Sequence, residues 1–90
     1  TALMLLPDNL DSYNHRGIVF LLMNNYNKAL NDFDEVIQTD SSYSKAYFNR
    51  GLVKMAINDE KGLRDDMEKA ARLNNQKAIS FLKEIGLCQN

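Results

Sequence analysis

Two stretches decide the fold: Tyr13-Asn14-His15-Arg16-Gly17-Ile18-Val19-Phe20-Leu21-Leu22-Met23-Asn24 and Tyr47-Phe48-Asn49-Arg50-Gly51-Leu52-Val53-Lys54-Met55-Ala56-Ile57-Asn58. A shift of 34 residues lays one on the other, with Tyr on Tyr, Arg on Arg, Gly on Gly, Val on Val and Asn on Asn. The register continues downstream, where Asp32 falls on Asp66. Conservative pairs fill the intervals: Ile18 with Leu52, Leu21 with Met55, Phe33 with Met67, Asp34 with Glu68. Chance aligns a few side chains, but here the breaks between helices, Asn24 and Asn58, coincide as well. A 34-residue period holding two helices specifies units that stack on one another rather than one closed bundle.

Within each unit the apolar residues recur at three- and four-residue spacing, as an amphipathic helix requires. This predicts helices near 10–23, 26–39, 44–57, 60–73 and 76–86, and no segment alternates with period two for long enough to form a strand. Asn24-Asn25, Asn58-Asp59 and Leu73-Asn74-Asn75 are the breaks. Asn tolerates the left-handed backbone that ends a helix, and a following Asn or Asp caps the next one. Asp40-Ser41-Ser42 forms another break, and Gly86 is expected to end the last helix. Gly17 and Gly51, which cost helix stability of about 1 kcal/mol each against Ala, are explained by close approach of the paired helix. Ala29 is the expected small counterpart of Gly17 on that helix, with Tyr13, Phe20, Tyr26 and Phe33 filling the space around the contact.

These residues resemble the tetratricopeptide repeat family, whose signature is W-x2-L-G-x2-Y, then A-x3-F, then a closing Pro. The first unit offers Tyr13, Arg16, Gly17 and Phe20, then Ala29 and Phe33, with Ser41 in the place of Pro. The second offers Tyr47, Arg50, Gly51, Leu63 and Met67, with Ala70 and Leu73 completing its inner face. Counting back 34 from Ser41 reaches Pro7, so Ala2 and Leu5 fit the tail of an earlier unit. The resemblance implies an all-α fold: an α-solenoid of antiparallel helix pairs in 34-residue repeats with a C-terminal capping helix. Its divisions are a remnant at 1–7, repeats at 10–43 and 44–75, and the closing helix at 76–87. In that last segment Ala78, Ile79, Phe81, Leu82 and Ile85 form one apolar stripe. The second unit departs from the pattern at Lys54, Glu60 and Leu63; Lys54 and Glu60 are expected near the rim, paired across the turn.

Composition narrows the function. The chain has 90 residues, 44% hydrophobic and 26% charged, with net charge −1, enough for one small domain. Its longest apolar run, Ile18 to Met23, has six residues, against the roughly 20 that cross a bilayer. Balanced charge and the lack of a Lys/Arg block argue against nucleic acid as a partner. The lone Cys88 cannot form an internal disulfide or a Cys-rich zinc site, and it leans towards a reducing, cytoplasmic setting. Charge is uneven along the chain: residues 1–43 carry −4 and residues 44–90 carry +3. No catalytic constellation, metal spacing or phosphate-binding Gly loop is present, and His15 is the only histidine. The acidic groups Asp32, Asp34 and Glu35, and likewise Asp65, Asp66 and Glu68, are expected on solvated outer faces. No enzyme and no cofactor are predicted.

What remains is binding. In the family that the chain resembles, the first helix of each repeat lines a concave face. That implies a peptide-binding groove at Asn14, Ile18, Leu21, Lys45, Phe48, Asn49, Leu52 and Met55, flanked by Asp11, His15, Leu22 and Ala56. Asn14, Ile18 and Leu21, like Phe48, Leu52 and Met55, follow helical spacing. The expected groove is apolar, edged by Asn14, Asn49 and Lys45, and accepts an extended or helical peptide of a partner protein. The competing use of the same stripe is packing against neighbouring units, self-association through an exposed repeat flank, or docking onto the rest of a larger protein. A carboxylate clamp of the chaperone-adaptor kind is not predicted: Asn49 fits and Lys83 fits in part in the place of Arg, but Asn14, Ile18 and Ile79 stand where Lys, Asn and Lys are required.

Overall fold

The computed structural model describes residues 10–84, which form five helices and, among the described residues, no strand. They are α1 (Leu10–Leu22), α2 (Tyr26–Thr39), α3 (Ser44–Ala56), α4 (Glu60–Arg72) and α5 (Gln76–Glu84). The remnant expected at 1–7, Pro7, Ile85, Gly86 and Cys88 lie outside the described residues.

Helices α1, α3 and α4 end one residue earlier than the apolar spacing suggests, for a shared reason. Asn24, Asn58 and Asn74 take up left-handed backbone, with φ of 63°, 66° and 67°. Each then donates its N–H back to the helix, to the carbonyls of Leu21, Met55 and Ala71, and the next residue donates to Phe20, Lys54 and Ala70. This paired closure satisfies carbonyls that a helix end otherwise leaves open. Three turns thus share one hydrogen-bond pattern, two of them separated by the 34-residue shift. Asp59 and Asn75 cap the helices that follow, accepting from Gly62 N–H at 3.0 Å and Ala78 N–H at 2.9 Å. Asn25, expected to do the same for α2, makes no side-chain cap bond. Its backbone angles match those of Asp59 within about ten degrees, so only its side chain differs.

Each helix packs on its neighbours in sequence, and α1 also touches α3. The core has two parts. Ala29, Phe33 and Val53 are buried, with Ile18, Phe20, Leu21, Tyr26 and Leu30 packed against them, so α1, α2 and α3 share one cluster. Tyr47, Met67, Ala70, Ala78 and Leu82 form the second, joined by Ile37, Phe48, Leu52, Leu63 and Phe81. Burying one large side chain of this kind stabilises by about 1.5–3 kcal/mol. Of the four aromatic residues expected around the glycine contact, it is the Phe33 ring that lies nearest to Gly17. A Cβ on Gly17 would lie 2.5 Å from Phe33 Cε1, and one on Gly51 3.0 Å from Met67 Cε.

The acidic residues expected on solvated faces are the clearest correction. Asp32 and Asp66 are only 5% and 6% exposed. Arg16 holds Asp32 through Nε and Nη2, both at 2.8 Å, and Arg50 holds Asp66 in the same fork at 2.9 and 2.8 Å. Arg50 Nη1 also reaches Asp34 of the preceding hairpin at 2.8 Å. Bidentate guanidinium–carboxylate geometry is what lets these carboxylates be buried at all. It raises the Arg16 pKa through the Asp32 hydrogen bond, and that of Arg50 through the Asp66 bond against the cost of burial. Lys54 likewise does not meet Glu60. It faces Asp59, the cap residue itself, at 3.8 Å, because the turn brings the cap residue rather than Glu60 close to Lys54.

Candidate functional site

One groove of about 500 Å³ opens between the first halves of α1 and α3 and the start of α5. Its floor is set by an amide pair: Asn49 Nδ2 donates to Asn14 Oδ1 at 2.9 Å, tying α3 to α1. Both side chains are buried, at 4% and 8% exposure. They therefore form the floor and not the edge, because each finds its partner in the other and is held in the helix interface. Asp11 at the start of α1 accepts from the Tyr43 hydroxyl in the α2–α3 link, which fixes one end of the groove. On the far side Asn75 caps α5 and reaches Ser44 Oγ at 3.4 Å, so the same residue positions the α5 N-terminus against α3.

The walls then carry unlike chemistry. Ile18 and Phe48 supply apolar surface, while His15, Lys45, Gln76 and Lys77 supply polar and charged ends. Phe48 also borders a second, shallower hollow of about 390 Å³ shared with Gln76, Lys77, Ser80, Phe81 and Glu84. Phe48, Gln76 and Lys77 thus border both depressions. The groove is more polar than the expected apolar stripe, since the start of α5 contributes Asn74, Asn75, Gln76 and Lys77 to it. In the sequence Asn74 and Asn75 are legible as a helix break and Gln76 and Lys77 as the start of the closing helix, with no sign that they face α1 and α3.

Of the eight positions expected to line the groove, Asn14, Ile18, Lys45, Phe48 and Asn49 are brought together there, as are Asp11 and His15. Leu21 packs instead with Ala29, Phe33 and Val53, and Leu52 with Tyr47 and Met67. Met55 is 46% exposed but lies outside the groove, near the far end of α3. The physical reason is the helix phase: Leu21 and Leu52 face the seams between helices, so their surface serves the core. Among the described residues, no helix is long and apolar enough to cross a membrane.

No family model matches the chain. Over 82 residues, covering 83% of its length, it is 33% identical to RNA polymerase II-associated protein 3 of Xenopus tropicalis. The chain is therefore similar to a stretch of a much longer protein, and spans 12% of that relative's length.

Proposed function

We propose that the chain is a non-catalytic protein-interaction module of the tetratricopeptide kind, which binds a peptide or helix of a partner protein in the groove between α1, α3 and α5. The architecture belonging to this reading is an α-solenoid of two helix pairs closed by α5. It is supported by the recurrence, at the 34-residue shift, of the turn hydrogen bonds and of the arginine–aspartate forks. Similarity to a protein whose name marks it as an associated factor supports a protein partner. The observation that carries the reading is the groove itself, with a hydrogen-bonded floor and with Lys45, Lys77, Phe48 and Ile18 in its lining. A rigid floor with unsatisfied charged and apolar groups above it suits a segment whose backbone lies along α3, with a carboxylate or carbonyl meeting the lysines.

The test is selection of binders from a random peptide display library, followed by heteronuclear NMR mapping on the domain. Binders should shift Lys45, Phe48 and Lys77, and Lys45→Glu with Lys77→Glu should abolish their binding while the domain stays folded. Binders that ignore both lysines, or that map to α2 and α4, would remove the groove from consideration. The alternative use, docking onto another part of a larger assembly, rests on a different surface, the exposed flank of α1.

A further inference from the structure

The amide pair on the groove floor leaves half of its hydrogen-bonding capacity unused. Each Asn side chain carries one carbonyl oxygen and one NH2 group. Asn49 Nδ2 donates to Asn14 Oδ1 at 2.9 Å, and among the described residues neither Asn14 Nδ2 nor Asn49 Oδ1 meets another partner. Both residues are nonetheless buried, at 4% and 8% exposure. Among the described residues, no polar side-chain atom that is sealed from solvent lacks a partner. The free NH2 and the free oxygen therefore keep an opening to solvent, and both residues line the groove. A ligand that covered these groups without bonding them would forfeit their hydrogen bonds to water, so a ligand that supplies a partner for each is favoured.

We infer, resting on the groove reading above, that Asn14 and Asn49 grip the main chain of an extended segment of a partner protein. Asn14 Nδ2 donates to a backbone carbonyl of that segment, and Asn49 Oδ1 accepts from a backbone N–H. In an extended chain one residue can offer its N–H and its C=O to the same neighbour, as in the hydrogen-bonded pairs of a sheet. In a helix both groups are spent on the helix's own bonds. The floor therefore selects a strand-like ligand over a helical one. Main-chain contact holds the segment in place without specifying the side chain of the residue that is held. Its neighbours are specified by the walls. Ile18 and Phe48 suit an apolar side chain, and Lys45 and Lys77 an acidic one. Neither lysine forms an ion pair among the described residues.

The probe is the tightest linear peptide that the display library yields against the ninety-residue chain, remade with each backbone amide in turn replaced by an ester. An ester deletes one N–H and weakens the adjoining carbonyl as an acceptor. Titration calorimetry should find one or two ester positions at which Kd rises at least about fivefold, as the loss of one hydrogen bond predicts. In the variant carrying both Asn14→Leu and Asn49→Leu, the same esters should cost less than about twofold, because the groups that met them are gone. In the wild-type chain the NMR signals of the Asn14 side-chain NH2 should move when the amide peptide binds, and move less with the sensitive ester. These signals decide alone if the double variant does not fold. No ester penalty at any position, penalties that all survive in the double Leu variant, or a peptide that is helical when bound would overturn the inference and leave the groove reading standing. So would binding that depends on one Asn or Gln of the peptide and on none of its backbone amides, since the floor would then pair with a side-chain amide. A library that yields no binder shifting Lys45, Phe48 and Lys77 would overturn both.

Discussion

Arg50 Nη1 donates to Asp34 at 2.8 Å, sixteen residues back along the chain, while the rest of the same guanidinium grips Asp66, sixteen residues ahead. One side chain on α3 thereby fastens α2 to α4. The two carboxylates differ in what they can contribute. The Asp66 side chain is 8% exposed and that of Asp34 is 46% exposed. An exposed ion pair is worth about 0–1 kcal/mol, whereas removing one partner of a buried pair leaves the other charge without compensation. Asp66→Asn should therefore destabilise by about 2–4 kcal/mol and Asp34→Asn by less than about 1 kcal/mol. Urea unfolding followed by circular dichroism measures both, and a larger loss at Asp34 would contradict this account.

The two glycines should also respond unequally. A Cβ at position 17 would meet the edge of the Phe33 ring at 2.5 Å, with two more ring atoms within 3.0 Å. A rigid, fully buried ring has nowhere to move, and overpacking of this kind costs about 1–3 kcal/mol. At position 51 the nearest atom is the terminal methyl of Met67 at 3.0 Å, at the end of a flexible side chain. Ala there gains up to about 1 kcal/mol of helix propensity over Gly. Gly17→Ala should lower the melting temperature clearly, and Gly51→Ala should leave it unchanged or raise it. Adding Phe33→Leu to Gly17→Ala should recover part of the loss, which separates steric conflict from a backbone effect.

The contrast between these glycines shows what the linear pattern can and cannot carry. The 34-residue register locates the helices, the Asn turns and the small residues, because each depends on local backbone chemistry that repeats with the sequence. Which side chain comes nearest to Gly17 depends on how two helices cross, and the pattern offered four aromatic residues for that space without singling out Phe33. The forks were written in the sequence as well: Arg16 to Asp32 and Arg50 to Asp66 share one spacing of sixteen, as do Asp34 and Arg50. Reading each acidic cluster by its neighbours hid that spacing, since Phe33, Val36 and Ile37 made the rest of the helix surface look solvated. For the groove, the residues on α1 and α3 were legible from helical phase. The contribution of α5 was not, because it rests on where Asn75 anchors that helix against Ser44.

At the turns, Asn24, Asn58 and Asn74 hold φ between 63° and 67°. Glycine adopts this conformation without a steric penalty, while a side chain branched at Cβ pays about 1–2 kcal/mol. Replacing Asn58 by Gly should preserve stability or improve it slightly, and Asn58→Val should cost at least about 1 kcal/mol. The residues that follow are expected to differ among themselves. Asn75→Ala removes a cap bond and should destabilise by about 1 kcal/mol, whereas Asn25→Ala removes none and should fall within about 0.5 kcal/mol of wild type. Differential scanning calorimetry of the single variants tests the ranking.

The α2–α3 link has its own acid dependence. Asp40 Oδ1 accepts from Ser42 Oγ at 2.7 Å and from Ser42 N–H at 3.0 Å, and these bonds, the hydroxyl first, hold its pKa below the ordinary carboxylate value. A carboxylate whose folded pKa is depressed adds stability above its unfolded pKa and loses it as pH falls through the folded value. Ser42→Ala removes the stronger bond. The Asp40 carboxyl should then titrate nearer the ordinary value in NMR, and the stability difference between the two proteins should shrink to zero under more acid conditions. An unchanged Asp40 titration would show that the backbone bond alone sets it.

The Asn14–Asn49 bond joins fold and function, because it is both the α1–α3 seam and the groove floor. Asn49→Ala leaves Asn14 Oδ1 facing the interface without its donor, and an unsatisfied buried acceptor costs about 1–3 kcal/mol. Replacing both residues with Leu removes the polar demand altogether, so the double variant should be more stable than Asn49→Ala alone. A double-mutant cycle of thermal unfolding measures that coupling. If the groove accepts a peptide, the same pair separates stability from recognition. The double Leu variant keeps the seam closed but takes two polar groups from the floor, so it should fold normally while its affinity for a groove-selected peptide changes. Identical affinity in the wild type and the double Leu variant would show that the floor closes the structure without being read by the ligand.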